Sequence, residues 1–149
     1  MTVQWFLASA HLLALGIGLG AVVIRAAALG GQLDERRVKQ ALTSDAAWGI
    51  AALLWISTGL LRAFGGYEKG TTYYLESSAF HFKMAALGLI LLLEIWPMVT
   101  FIRWRAARAR GRPMDTARAG LFARISLAQA VLVIFMVFAA TAMARGIGF

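Results

Sequence analysis

The chain has 149 residues, of which 60% are hydrophobic, and its mean hydropathy of +0.72 lies far above that of soluble globular proteins. Its 15 Lys and Arg outnumber 7 Asp and Glu, but they lie in short connections without stacking aromatics, which argues against nucleic-acid binding. The absence of cysteine excludes disulfides, thiolate metal sites, iron–sulfur clusters and thiol catalysis. The composition predicts an integral membrane protein in contact with the lipid bilayer.

Four apolar segments are long enough to cross the membrane as helices, since about 20 mostly apolar residues span the hydrocarbon. Their predicted ranges are about 3–28, 45–64, 79–104 and 119–144. The first segment lacks the basic region of a secretory signal, so we expect it to be retained as a helix. No alternating strand pattern supports a barrel. The predicted fold class is therefore all-α, an integral membrane four-helix bundle in a single domain.

Lys and Arg are unevenly distributed between the two ends of these helices. Four lie in or beside the first connection and seven in or beside the third, against four at the other end. Because basic loops stay in the cytoplasm, we predict that the first and third connections are cytoplasmic and that both termini lie outside. The basic third connection, RWRAARARGRPMDTARAG, is also expected to meet anionic lipid head groups.

Small residues and loops give further local predictions. The GIGLG motif at Gly16, Gly18 and Gly20 favours close packing of the first helix, with a flat ligand as the alternative. The first connection, GGQLDERRVKQALTSD, predicts a short surface helix, with Thr43, Ser44 or Asp45 as a helix cap.

Aromatic residues accompany the second helix and the connection after it. Trp48 suits an interface anchor, whereas Trp55 lies near mid-helix and suits packing or a buried ligand. The connection GGYEKGTTYYLESS is either an aromatic belt with solvated charges or a lid over an outward-facing site, in which Arg62 pairs with Glu68 or Glu76.

The only two histidines fall at similar depth in the first and third predicted helices. His11 and His81 lie about 10 and 5 Å below the outer surface at 1.5 Å of rise per residue. Two imidazoles on facing helices of a bundle are a known way to hold haem, and Arg62 and Lys83 lie level with them. We therefore predict haem b, with His11 and His81 as ligands of the haem iron and Arg62 and Lys83 near the propionates.

Two other interpretations of the histidines stay open. Each histidine is also compatible with a packing role in which it makes hydrogen bonds within the bundle. A copper site is the other alternative, since His81 and Met84 are three residues apart on one helix face.

Glu94 lies in the inner half of the third predicted helix, level with Arg25 and Arg124. A carboxylate in hydrocarbon needs a partner or a function. We predict a structural ion pair between Glu94 and Arg124, with Arg25 at the same level, and a proton relay is the alternative. Lys83 is about 16 Å from Glu94 along the helix axis and is therefore no partner for it.

Several stretches together resemble an uncharacterised family of small bacterial predicted membrane proteins, a domain of unknown function. They are AHLLALGIGLG, TGLLR, GGYEKGTTYYL, FHFK and PMVTFIRWR. The resemblance covers nearly the whole chain and implies four helices in the bacterial inner membrane, without an established activity. His11 and Lys83 are also similar to positions in HemJ-type protoporphyrinogen oxidases, and His11 to one in CopD-like membrane proteins. The oxidase resemblance implies haem b.

Three functional hypotheses follow. The first is a bundle that binds haem b for electron transfer or haem handling. The second is a cofactor-free structural or accessory subunit, packed within a larger membrane complex or a homo-oligomer. The third is an oxidase of a porphyrinogen or quinol. Transport is disfavoured because no inverted repeat is evident.

Overall fold

The computed structural model describes residues 2–67 and 69–146. Within these residues the chain forms five helices: α1 (Thr2–Leu29), α2 (Glu35–Phe64), α3 (Thr71–Glu76), α4 (Ser78–Ala109) and α5 (Ala119–Ala144). Of these, α1, α2, α4 and α5 are long and apolar enough to cross a membrane. No strand occurs in the described part of the chain. The predicted all-α membrane bundle is confirmed.

The second membrane helix begins at Glu35, earlier than predicted, because the expected surface helix is its first part. Asp34 caps α2 by accepting a hydrogen bond from the Arg37 backbone N–H at 2.7 Å. Val38 and Ala41, on the following turns, are buried in the bundle. The apolar face that begins at Val38 therefore continues the helix without a break, and the predicted cap at Thr43 to Asp45 is wrong.

The long helices form a ring in the order α2, α1, α5, α4. Helix α1 packs closely along α2 and also contacts α5, which in turn packs against α4. Helices α1 and α4 lie diagonally and make no close backbone contact, while α2 and α4 make few. The bundle is therefore closed tightly on three sides and loosely between α2 and α4.

We call the two ends of the bundle outer and inner, following the predicted orientation. The outer end holds the start of α1, the end of α5 and α3, and the inner end holds the connections α1–α2 and α4–α5.

Close packing of α1 on α2 is possible at Gly18. A Cβ added there would lie 3.4 Å from Ala51 Cβ and 3.5 Å from the Trp48 ring, whereas one at Gly16 or Gly20 would meet nothing within 4 Å. The packing interpretation of the GIGLG motif is thus confirmed at Gly18. The expected room for a flat ligand is filled there by Trp48.

We expect Gly18→Val to lower the free energy of unfolding by about 1 to 3 kcal/mol, because the branched side chain has to push Trp48 and Ala51 away. The thermal midpoint of the purified protein in detergent measures this. Gly16→Val is the matched control, since it makes the same chemical change on the same helix in open space. Equal losses in both variants would contradict the packing role of Gly18.

Candidate functional site

A cavity of about 350 Å³ lies at the outer end of the bundle. Residues of all four long helices line it, together with Tyr73 and Tyr74 of α3. Most of the lining is apolar, and the basic or imidazole side chains in it are His11, Arg62, Lys69 and Lys83. No Asp or Glu is among the described residues that line it. The cavity is therefore apolar and cationic.

His11 is held in one orientation by Thr58. Its Nδ1 lies 3.0 Å from Thr58 Oγ1, and this hydroxyl donates its single proton to the Leu54 carbonyl at 2.6 Å. With the hydroxyl proton on that carbonyl, Thr58 Oγ1 is assigned as the acceptor of a His11 Nδ1–H hydrogen bond. Nε2 keeps its lone pair, which leaves it available to a ligand proton or to a metal.

Glycine and tryptophan complete the wall around His11. A Cβ at Gly59 would lie 3.1 Å from His11 Cε1, so a larger residue there would require the imidazole to shift by a few tenths of an ångström. The Trp55 ring is 5.9 Å from the His11 ring, centroid to centroid. Trp55 is 7% exposed, and its Nε1 is buried without a hydrogen-bond partner in the described chain. An unpaired buried donor costs about 1 to 3 kcal/mol, which an acceptor on a ligand would recover.

The two predicted cofactor-binding cations both reach the cavity. Arg62 and Lys83 are half-buried in its lining. Lys83 makes no ion pair with any described residue. The predicted pairing of Arg62 with Glu68 lies outside the described residues, and Glu76, the other predicted partner, is exposed on α3.

His81 does not join the other predicted site residues. It is exposed, with its ring beside Phe80 at 6.4 Å, and it does not line the cavity. Residues two positions apart on a helix point about 160° away from each other, so His81 faces away once Lys83 faces inward. The structure therefore brings His11, Arg62 and Lys83 together in one cavity and leaves His81 apart.

Helix α3 covers the outer end of the cavity. Tyr73 donates a hydrogen bond from its hydroxyl to the Met143 carbonyl at 3.0 Å, and Lys69 donates to the same hydroxyl at 3.1 Å. Tyr74 is buried against Phe80, with ring centroids 5.4 Å apart. These contacts tie α3 to α4 and α5, an arrangement that favours the lid interpretation of this connection.

A second polar group lies at the inner end, around Arg25. This side chain is 0% exposed, and each of its five N–H bonds has an acceptor. Nε donates to Ser126 at 3.0 Å, Nη1 to Asp45 and Glu94 at 2.8 Å each, and Nη2 to Glu94 at 2.9 Å and Gln129 at 2.7 Å. The guanidinium therefore joins all four long helices.

The carboxylate oxygens of Glu94 also accept several hydrogen bonds. Besides Arg25, its Oε2 accepts from Trp48 Nε1 at 3.1 Å and from Gln129 Nε2 at 2.7 Å. Arg105 neutralises the other carboxylate through a 2.8 Å contact to Asp45. Two arginines and two carboxylates thus balance within the network, which leaves no free donor on Arg25 for a ligand.

The predicted ion pair of Glu94 with Arg124 is wrong. Glu94 pairs with Arg25 instead, and Arg124 is exposed on α5. Helical geometry explains this, because Ser126 and Gln129 are three residues apart and share the inward face, whereas Arg124 is turned away from it. Trp48, predicted as an interface anchor, is 4% exposed and belongs to the network.

Sequence reasoning missed Asp45, Ser126 and Gln129 as partners. The available signal was that all three are polar residues in apolar helices, near the depth of Arg25. No group of three or more His, Asp or Glu side chains that would suit a metal ion occurs in residues 2–67 and 69–146. Haem needs only one or two protein ligands and does not require such a group.

The chain matches the family described as predicted membrane protein (DUF2214) over residues 3–148. It belongs to the DUF2214 family. Searches of curated proteins and of solved structures found no match to this chain. The resemblance to an uncharacterised membrane family is thereby confirmed, while that to HemJ-type and CopD-like proteins finds no support in these comparisons. Oxidase activity stays a prediction for this DUF2214 protein.

We expect Glu94→Gln to lower the free energy of unfolding by about 3 kcal/mol or more, because it leaves the buried Arg25 with a single carboxylate partner. Denaturant unfolding in detergent measures this. Arg124→Gln is the control and should cost less than about 0.5 kcal/mol, since Arg124 is exposed. A larger loss of stability in Arg124→Gln than in Glu94→Gln would contradict the pairing of Glu94 with Arg25 and favour the predicted pairing with Arg124.

Proposed function

We propose that this DUF2214 protein resides in the bacterial inner membrane and binds an amphiphilic anion in its outer cavity. The observation that carries the proposal is the pairing of an apolar lining with Arg62, Lys83 and His11, without a carboxylate among the described lining residues. Lys83 faces this largely apolar site without an ion pair to any described residue, and such a cation favours an anionic head group attached to an apolar body.

The contacts available to such a ligand fall into two zones. Arg62 and Lys83 suit its carboxylate or phosphate, and Lys69 adds a third cation at the outer end. Leu87, Met136 and Val137 offer an apolar surface for the body of the ligand. Between the two zones, His11 offers the lone pair of Nε2, and Trp55 offers an N–H without a hydrogen-bond partner in the described chain. A ligand that uses both would carry a polar group or a metal ion between its anionic head and its apolar body.

Haem b is the specific ligand we propose within this class. Its iron would be held by His11, whose Nδ1–H is already committed to Thr58 as in typical metal-ligating histidines. Its propionates would be held by Arg62 and Lys83. Met84 and Met136 also line the cavity and could help to hold the group, since His81 does not face it. When bound, haem would allow the protein to act in electron transfer. The alternative is haem handling, in which the protein binds haem and transfers it to an acceptor.

A structural role in a larger assembly or homo-oligomer is the second candidate. Gly16 and Gly20 lie four residues apart on the exposed face of α1, with open space above both. Such a pair favours close approach of another membrane helix. This role is compatible with an occupied cavity, and a chromophore-free complex of fixed stoichiometry would favour it over haem binding.

An absorption spectrum of the detergent-solubilised protein, reconstituted with haem and measured oxidised and reduced, tests the haem proposal. We expect a Soret band that His11→Ala abolishes. His81→Ala is the matched control and should keep the band, because His81 lies outside the cavity. A band that survives in His11→Ala, or one that vanishes in His81→Ala, would contradict the assignment.

The wider proposal is tested with single-chain amphiphiles that differ only in head group. We expect a dodecyl phosphate to raise the thermal midpoint of the protein, and dodecyltrimethylammonium not to. Lys83→Gln should weaken the phosphate response about tenfold, which corresponds to about 1.4 kcal/mol for a lost charged contact. Lys39→Gln, an exposed lysine at the other end of the bundle, is the control. Equal effects of both amphiphiles would refute anion selectivity even if haem binds.

A further inference from the structure

The arginines between Arg103 and Arg124 fall into two groups. Arg105 and Arg108 form ion pairs, with Asp45 at 2.8 Å and Glu35 at 3.1 Å. The others are exposed and make no ion pair with any residue that the structure describes: Arg103, Arg110, Arg112, Arg118 and Arg124. The inner end of α4 and α5 therefore presents a group of uncompensated cations.

Arg118 differs from the rest of this group because it is held in place. Its Cζ lies 4.8 Å from the centre of the Trp96 ring. Trp96 is fixed in turn by an edge-on contact with Phe122 at 5.7 Å. The loop that carries Arg118 is tied to α4 by Trp104 Nε1, which donates to the Asp115 carbonyl at 2.9 Å. The guanidinium is thus positioned over an aromatic face rather than spread into water.

The level of Trp96 places this guanidinium within reach of lipid. Trp96 lies 13 residues before the end of α4 at Ala109, or about 20 Å along the axis. Helix α4 has 32 residues, so its length of about 48 Å exceeds the hydrocarbon core by about 18 Å. Because Trp96 is in contact with Arg118, the residue just before α5, we take most of this excess to lie at the inner end of α4. This puts Trp96 in the inner leaflet, near its boundary with the head groups.

A guanidinium at this level, with no carboxylate partner in the described chain, needs an anion from its surroundings. Phosphate matches its planar pair of donors well. Arg103 lies seven residues after Trp96, on the same face of α4 and about 10 Å nearer the cytoplasm. It provides a second cation at head-group level.

The surface beside Arg118 distinguishes a lipid from a soluble anion. Trp96 is 45% exposed, and the neighbouring Val99 and Leu121 are 37% and 40% exposed. Trp96 contacts the cation directly, while Val99 lies three residues after Trp96 on α4 and Leu121 three residues after Arg118 on α5. An acyl chain would cover them, whereas a soluble anion would leave them in contact with bulk lipid.

We propose that Arg118, stacked on Trp96, binds the phosphate of an anionic phospholipid of the cytoplasmic leaflet, with Arg103 as a second contact to the head group. This site is independent of the outer cavity and of what that cavity binds. It is also narrower than general attraction of a basic loop to the membrane, because it assigns the effect to one arginine and one aromatic ring.

Native mass spectrometry of the full-length protein, released from nanodiscs of mixed phosphatidylcholine and phosphatidylglycerol, tests this site. We expect wild-type protein to retain one phosphatidylglycerol, and Arg118→Gln to lower that retention about tenfold. Arg112→Gln is the matched control, since it removes the same charge from the same loop away from Trp96, and should retain the lipid. Arg118→Lys keeps the charge but lacks the planar fork, and should lose retention severalfold.

If Arg118→Gln lowers the thermal midpoint, its loss of lipid does not separate lipid binding from folding. Arg118→Lys, which keeps the charge, then provides the test of the site. Equal losses in Arg118→Gln and Arg112→Gln would overturn the proposal in favour of diffuse charge attraction. No loss in either would overturn it as well. Displacement of phosphatidylglycerol by millimolar inorganic phosphate would assign the site to a soluble anion instead and thereby refute the lipid.

Discussion

The buried guanidinium of Arg25 is the interaction on which the bundle depends. In lipid, apolar surfaces gain little by leaving one apolar medium for another, so packing and polar contacts decide how helices associate. Arg25 on α1 has acceptors on α2, α4 and α5, and all five of its donors are used. A rotation or slide of α2, α4 or α5 would take at least one acceptor away from this buried guanidinium, which fixes the register of all four helices at the inner end.

At the outer end, no fully buried arginine that joins all four long helices occurs among residues 2–67 and 69–146, and the cavity lies at this end. Contacts between α2 and α4 at the inner end come from Trp48 to Glu94 and from Arg105 to Asp45. At the outer end, aromatic contacts through α3 and Phe80 take their place. Between the two ends lies an apolar core that includes Val22, Ile90 and Val133. Such a bundle suits binding at one end better than passage across the membrane.

The charged residues thus have three distinct environments. At the inner network, two arginines and two carboxylates neutralise each other and stabilise the fold. At the outer cavity, Lys83 faces an apolar space without a described counter-ion. At the inner surface, Arg118 is held by Trp96 rather than by a carboxylate. Only the last two leave an unsatisfied cation, and an unsatisfied cation near a membrane is the better indicator of a ligand.

The sequence by itself determined the number of membrane helices, most of their bounds and the depth of each polar residue, because length, hydropathy and a fixed rise per residue are local properties. Depth was enough to group His11, Arg62 and Lys83. It was not enough to choose between Arg25 and Arg124 as the partner of Glu94, or to place His81 outside the cavity. Those outcomes depend on the rotation of each helix about its own axis. Only the tertiary structure decided them, because rotation is set jointly by contacts from several helices.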